Sequence, residues 1–243
     1  FSNSIGLVTE PIVAIKRTLK IPAHETVELY FIISVAETKE DAVANIEKIK
    51  NQEAIRNIFE ISKAKAIEEA RYLQLKGNEL AEYQKLISLL IKPNYVRWYY
   101  RNKIKNEKFK RVDLWKFGIS GDFPILTLKL KNINDMYLLN QLLKLYEILR
   151  IKNIQIEFIV LVEEEYLIEY INKCILNAHL DYMKNIRTGI FILVSNKLTK
   201  TENDMIIFVS DLIIDANLGN INYQLNKIKK IYKRFTKKFV NSF

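Results

Sequence analysis

The sequence is poor in the residues that build cross-links and metal centres. Among 243 residues it has one cysteine, Cys174, and two histidines, His24 and His179, which lie far apart. A single thiol excludes an internal disulfide and a cysteine-based zinc site, and two distant histidines exclude a histidine-rich metal centre. We therefore predict no metal site. The lone thiol fits a reducing, cytoplasmic compartment, which is the location we expect.

The chain also has no long apolar run. No stretch approaches the roughly 18 to 20 uninterrupted apolar residues that a membrane helix needs, so we expect no transmembrane segment in this chain. Hydrophobic residues make up 49% and charged residues 27%, which is typical of a globular protein. The first residue is Phe1, without an initiator Met or the order of a signal peptide. We expect the chain to be a piece of a longer protein.

Positive charge is concentrated in two segments of a chain whose net charge is +10. Residues 96–117 hold eight basic and two acidic residues, and residues 226–243 hold seven basic residues and no acid. Interleaved aromatic residues make both segments candidates for docking on nucleic acid or anionic lipid. The simpler interpretation is a solvated connector and an amphipathic helix. Because base recognition favours Arg, and Arg is scarce here beside Lys, we predict no specific nucleic-acid binding.

The first half of the chain changes from strand to helix periodicity. Alternating apolar residues predict two strands within residues 12–35, joined by a turn at residues 22–25. Thr38 is a candidate helix cap with Asp41 as its reciprocal partner, and one long helix should end near Gly77. Asn78 should cap the next helix. These patterns predict strands of a larger sheet within residues 1–36 and a helical connector over residues 37–112.

The second half alternates strands with helices. Apolar runs predict strands at 125–130, 154–162 and 189–194, and helical periodicity predicts helices at 134–149, 166–183 and 201–214. Repeated βα units with continuously apolar strands favour a parallel sheet covered on both faces. We therefore predict an α/β fold, with a three-layer module and a mainly parallel sheet over residues 113–220. Residues 221–243 should form a basic amphipathic helix that leads to the next domain.

The usual catalytic and nucleotide-binding signals are weak. The loops after the first two predicted strands contain no glycine, and the second carries Glu163, Glu164 and Glu165, which would repel a phosphate. We predict no nucleotide and no cofactor. The three glutamates are interpreted as acids at a helix start, and His179 as a packing residue within a helix. Asp211 and Asp215, four residues apart, could bind a metal or equally well form a solvated helix face. No catalytic residue is predicted.

One short motif stands apart from this pattern. Two of the six glycines, Gly118 and Gly121, fall within four residues, and Ser120 and Asp122 beside them can bond neighbouring backbone groups in a tight turn. One interpretation is a structural turn that fixes the entry of the first strand of the sheet. The other is a polar loop that binds a saccharide. The candidate binding residues are Trp115, Gly118, Ser120, Gly121 and Asp122, with Trp115 as a stacking platform and Asp122 as an acceptor.

Residues 115–124 read W-K-F-G-I-S-G-D-F-P. They resemble the W-x-[YF]-G-I-S-G-D-x-P motif of cyclic β-1,2-glucan synthases and β-1,2-oligoglucan phosphorylases, bacterial proteins with a glycoside hydrolase family 94 module. Two earlier segments resemble the end of a carbohydrate-binding β-sandwich in these proteins, namely residues 10–17 (E-P-I-V-A-I-K-R) and residues 35–42 (V-A-E-T-K-E-D-A). The resemblance therefore implies that residues 1–36 are the terminal strands of such a β-sandwich. Residues 189–193 resemble a later strand of the same proteins. Three positions depart from the family pattern, namely Glu10, Phe123 and Ile190.

The resemblance implies a non-catalytic segment of a protein that makes or phosphorolyses β-1,2-glucan. The family's catalytic barrel and its membrane-embedded glycosyltransferase module would lie outside this chain, so no catalytic residue is carried over. The parent would be a glycosyltransferase or glycoside phosphorylase, and this segment its scaffold or saccharide-handling module. The implied partners are neighbouring domains of the longer protein and a β-glucan saccharide. The alternative is a free-standing binding module that docks on nucleic acid or anionic lipid through its basic segments.

Overall fold

The computed structural model describes residues 15–76, 79–104 and 109–240. By contacts the chain divides into two compact units, residues 1–65 and 66–243. The predictions made for Glu10, Gly77 and Asn78 lie outside the described residues. The four predicted segments of the chain stay a prediction.

Residues 15–36 of the first unit contain the predicted turn but no strand. The backbone N–H of Glu25 donates to the carbonyl of Pro22 at 3.3 Å, as expected for a turn at residues 22–25. The apolar side chains that alternate after it remain in solvent, with Ile33 83% and Val35 89% exposed. Two strands cannot bury a sheet face by themselves. The predicted pair of strands is therefore not formed in this part of the chain.

Two helices replace the predicted single long helix. Helix α1 spans Lys39–Ile49, and the Thr38 hydroxyl accepts the N–H of Asp41 at 3.2 Å and donates to its carboxylate, which confirms the predicted cap. Helix α2 spans Gln52–Tyr72. Asn51 separates the two, because its side chain accepts the N–H of Ala54 at 2.7 Å and starts a new helix.

A four-stranded parallel sheet forms the centre of the second unit. Its strands are β1 (Ile125–Leu130), β2 (Glu157–Val162), β3 (Ile190–Val194) and β4 (Leu212–Asp215), in the spatial order β3-β2-β1-β4. Strand β1 pairs with β2 on one side and with β4 on the other. The strands are largely apolar, and β1, β2 and β4 are almost fully buried, which confirms the predicted α/β fold with a parallel sheet.

Helices cover both faces of this sheet. Helices α3 (Glu79–Ile91), α4 (Tyr95–Arg101), α5 (Met136–Ile151), α6 (Leu167–Asn177) and α8 (Ile221–Val240) contribute to the larger core with residues such as Leu128 and Val160. Helix α7 (Lys200–Val209) and a 3-10 helix at Arg111–Phe117 pack on the other face, against Ile125, Ile159 and Phe191. Helices α5 and α6 connect β1 to β2 and β2 to β3, and both connections move towards the same edge of the sheet. Helix α7 connects β3 to β4, which lies at the opposite edge. Right-handed crossovers therefore place α7 on the opposite face.

The helix predicted over residues 201–214 is wrong in its last part, which forms strand β4. Helix α7 ends at Val209, and Leu212–Asp215 continue as a short buried strand. Asp211 and Asp215 are therefore not on one helix face; they lie at the two ends of β4. The three apolar residues between them are compatible with a helix or a strand. They form a strand because the buried backbone groups along this edge of β1 need hydrogen-bonding partners, which β4 supplies.

His179 is also placed differently from its prediction. It follows the end of α6 with a positive φ of 56°, is exposed, and donates its backbone N–H to Leu176 at 2.9 Å. This is the left-handed position that commonly ends a helix. His179 is therefore a helix-terminating residue and not a packing residue inside a helix.

Candidate functional site

The glycine motif forms a tight turn between the 3-10 helix and β1. Gly118 ends the helix with φ 74° and ψ 9°, and its N–H donates to the carbonyl of Trp115 at 2.9 Å. Gly121 has φ 71°, and the N–H of Asp122 donates to the Ser120 hydroxyl at 3.2 Å. Both glycines thus adopt the left-handed backbone that other residues enter only with strain. The structure thus contains the tight turn that the two glycines and Ser120 predict, while a binding role for these residues stays a prediction.

A buried carboxylate holds this turn in place. The backbone N–H groups of Ser120 and Gly121 donate to the two carboxylate oxygens of Glu157, at 2.8 and 2.9 Å. Glu157 is the first residue of β2 and is fully buried. Sequence reasoning missed Glu157, although an acid at the start of a strand covered on both faces requires hydrogen-bonding partners. The two N–H groups of the motif supply them.

The exposed side chains of the motif line a shallow cavity of about 380 Å³. Trp115 is 64% exposed, and its indole N–H points to the carbonyl of Ser120 at 3.4 Å. Asp122 forms an ion pair with Arg187 at 3.4 Å, and the Arg187 guanidinium lies 5.1 Å from the ring centre of Phe123. The structure therefore brings Trp115, Gly118, Ser120 and Asp122 to one surface, while Gly121 lies behind it against Glu157.

The turn lies at the amino ends of the strands. It leads through Pro124 into β1, and the Pro124 carbonyl accepts the N–H of Glu157 at 3.0 Å. Ligands of open parallel sheets bind beyond the carboxyl ends of the strands, where the strand order reverses. The motif is therefore at the edge of the sheet that usually serves stability.

A second carboxylate joins β1 to its other neighbour at the same edge. Asp211 accepts the N–H of Ile125 at 2.9 Å, and its own N–H donates to the Ile125 carbonyl at 2.8 Å. Arg97 of α4 forms an ion pair with the Asp211 carboxylate, and the Asn94 side chain donates to the Asp211 carbonyl at 3.0 Å. Asp211 thus fixes the start of β4 and does not share with Asp215 the helix face that their spacing in the sequence predicts.

Two further acids, Glu202 and Glu165, form contacts that stabilise the structure. Glu202 accepts the backbone N–H of Thr199 at 2.6 Å and pairs with Lys116 of the 3-10 helix. The Lys116 hydrogen bond, followed by those from Thr199, lowers the pKa of Glu202 to about 2. Glu165 pairs with Lys197 at 2.7 Å, which ties the loop after β2 to the loop after β3.

Within residues 15–76, 79–104 and 109–240, no three His, Cys, Asp or Glu side chains come together as a metal site would require. None of the helices in those ranges is long and apolar enough to cross a bilayer.

Comparisons with known proteins place this chain beside carbohydrate-active enzymes. Residues 1–52 match the family model described as glycosyl hydrolase 94, supersandwich domain. This match confirms the predicted resemblance to glycoside hydrolase family 94 proteins.

A curated protein is similar to a larger part of the chain. The chain is 25% identical over 162 residues to the cyclic beta-(1,2)-glucan synthase NdvB of Rhizobium meliloti (strain 1021). The aligned region covers 67% of this chain but 6% of that protein. The similarity thus extends well beyond the 52 residues of the family match.

Proposed function

We propose that this chain is a non-catalytic module of a longer protein that makes or phosphorolyses β-1,2-glucan, and that it holds neighbouring domains in position. The similarity to a cyclic beta-(1,2)-glucan synthase supports the class of substrate. The contact between Glu157 and the backbone of Ser120 and Gly121 supports the scaffold role, because it uses the polar groups of the motif for folding. Its partners are the neighbouring domains, in a cytoplasmic setting.

Two acids at the amino ends of the strands, Glu157 and Asp211, support a module without catalysis because both are used in folding contacts. Glycoside chemistry needs a carboxylic acid free to exchange a proton with the substrate. Glu157 is buried and accepts two backbone N–H groups, and Asp211 is held by Arg97 and the backbone of β1. Neither carboxylate can leave these contacts without loosening the sheet. This supports a structural module and not a stand-alone enzyme.

The test is turnover by the purified 243-residue chain. Sophorose and longer β-1,2-glucans are incubated with inorganic phosphate, and release of glucose 1-phosphate is measured. We expect none. Phosphorolysis that disappears in a Glu157→Gln or Asp211→Asn variant whose fold is intact would overturn the proposal.

The second candidate function is docking on an anionic polymer or surface through α8. Lys227, Lys230 and Arg234 lie along this helix and are exposed. If the first proposal holds and these side chains are only a solvated face, retention on DNA should be weak, sequence-independent and lost near physiological salt. A sequence-dependent DNA complex that survives about 150 mM salt would favour this second function over the first.

A further inference from the structure

A second cavity, of about 650 Å³, shares no lining residue with the cavity at the glycine motif. It is bounded by the carboxyl-terminal end of α2, by α5 and by the end of α6. Its volume falls within the roughly 300 to 1,000 Å³ typical of small-molecule sites. The side chains that matter for the argument are Tyr72, Gln74, Asn140, Lys144, Asn177 and Tyr182.

Two exposed aromatic rings border this cavity. Tyr72 is 73% and Tyr182 is 58% exposed, so both rings offer area to a ligand. Arg150 donates to the hydroxyl of Tyr182 at 2.6 Å and lies 5.2 Å from its ring centre. Arg150 does not line the cavity, so it fixes the position of Tyr182 without occupying the site. Aromatic rings with a polar tip bind ligands that have both an apolar face and hydroxyl groups.

The polar side chains of the cavity are available for a ligand. Within the part of the chain that the structure describes, the side chains of Gln74, Asn140 and Asn177 form no hydrogen bond. Each amide presents two donors and an acceptor, and together they match the vicinal hydroxyl groups of a sugar, which both donate and accept.

The charges of the cavity narrow the class of ligand. Lys144 and Glu147 both line it and carry opposite charges. A phosphate or carboxylate ligand would require an excess of cations, and an apolar ligand would leave the amides unpaired. A neutral polyhydroxylated ligand satisfies both conditions.

We propose that the cavity between α2, α5 and α6 binds a neutral saccharide, with Tyr72 and Tyr182 as stacking rings and Asn140 and Asn177 as hydroxyl partners. The choice of a β-1,2-linked glucan as the first probe rests on the proposed function. The proposal itself rests on the cavity alone.

Cys174 provides a direct readout of occupancy. It lines the cavity, is half-buried and is the only cysteine of the chain, so a thiol reagent modifies this position alone. Burial raises the pKa of its thiol, so the reaction is slow and responds to access. Sophorotriose, the β-1,2-linked glucotriose, should slow labelling several-fold at saturation, and calorimetry should show binding at the same concentrations.

Variants locate the site. Tyr72→Ala and Asn177→Ala should each weaken sophorotriose binding about tenfold, since each removes one stacking or hydrogen-bonding partner. Tyr223→Ala is the matched control, because Tyr223 is also an exposed tyrosine, at 59%, but lies on α8 and does not line the cavity. Trp115→Ala tests the glycine motif, and it should leave binding unchanged.

The outcomes separate this inference from the proposed function. Binding lost with Trp115→Ala but kept with Tyr72→Ala would overturn the cavity and move the site to the glycine motif. No protection and no heat with sophorotriose, cellotriose or laminaritriose would overturn the saccharide site, while absence of turnover would still uphold the scaffold role. Protection by cellotriose or laminaritriose alone would uphold the site and contradict a β-1,2-glucan parent.

Discussion

Replacing Glu157 by Gln tests whether the glycine motif is a folding element. The change keeps the shape of the side chain but turns one of its two acceptor oxygens into a donor that faces an N–H group. One of the charge-assisted hydrogen bonds from Ser120 and Gly121 is therefore lost. Such bonds contribute about 1.5–3 kcal/mol each, so we expect the free energy of unfolding to fall by that amount. For a unit of this size the melting temperature should drop by about 3–12 °C.

Tryptophan fluorescence reports this effect without interference from the first unit. Trp98 and Trp115 are the only tryptophans, and both lie in the second unit. Urea unfolding of Glu157→Gln is compared with Glu165→Gln, whose pair with Lys197 is exposed on both sides and contributes about 0–1 kcal/mol. Equal midpoints for the two variants would show that the buried contact does not hold the turn and would refute this reasoning.

Three further changes test the same structure. Gly121→Val should lower the free energy of unfolding by about 1–3 kcal/mol, because φ is 71° there, and an unchanged urea midpoint would contradict this. Gly189→Ala should cost about 3 kcal/mol or more, since its new Cβ would lie 2.2 Å from the Met183 carbonyl oxygen; stability within 1 kcal/mol of the unchanged protein, by the same fluorescence measurement, would disprove the close approach. The pKa of Glu202, lowered to about 2, makes its carboxylate stabilise the fold fully above pH 4.5 and progressively less as the pH falls towards 2. Glu202→Gln should therefore lose less stability than the unchanged protein between pH 4.5 and 2 in acid titrations, and identical losses would show that the contacts of this carboxylate do not matter.

The fold of the second unit was largely predictable because its strands are apolar on both faces. A run such as Phe158–Val162 can be satisfied only between two layers of helices, and the repeated βα order then requires parallel strands. Strand β4 escaped prediction because four residues are too few to show a period, and its pairing with β1 is decided by a partner 86 positions earlier. Residues 15–36 show the converse, since they alternate clearly in sequence but form no strand in the structure.

The candidate site was predictable only in part. Glycine pairs reveal positive φ, so the turn at Gly118 and Gly121 could be predicted from the sequence. Glu157 could not be linked to it, because its partners are backbone N–H groups, which every residue but proline carries. The cavity at Tyr72 and Tyr182 could not be predicted from the sequence either. Its residues come from three helices and from the segments that follow α2 and α6, and they share no motif.

The position of β1 in the sheet has a consequence for how the protein is made. Leu126 pairs with Leu212, so the last strand leaves the ribosome 86 residues after its partner, which takes several seconds at about 5–20 residues per second. During that interval one edge of β1 presents unpaired N–H and C=O groups beside apolar side chains, the arrangement that promotes aggregation. Any nascent or truncated chain that ends before Leu212 carries this open edge. The newly synthesised protein therefore depends on prompt completion, or on a chaperone that covers β1 until β4 arrives.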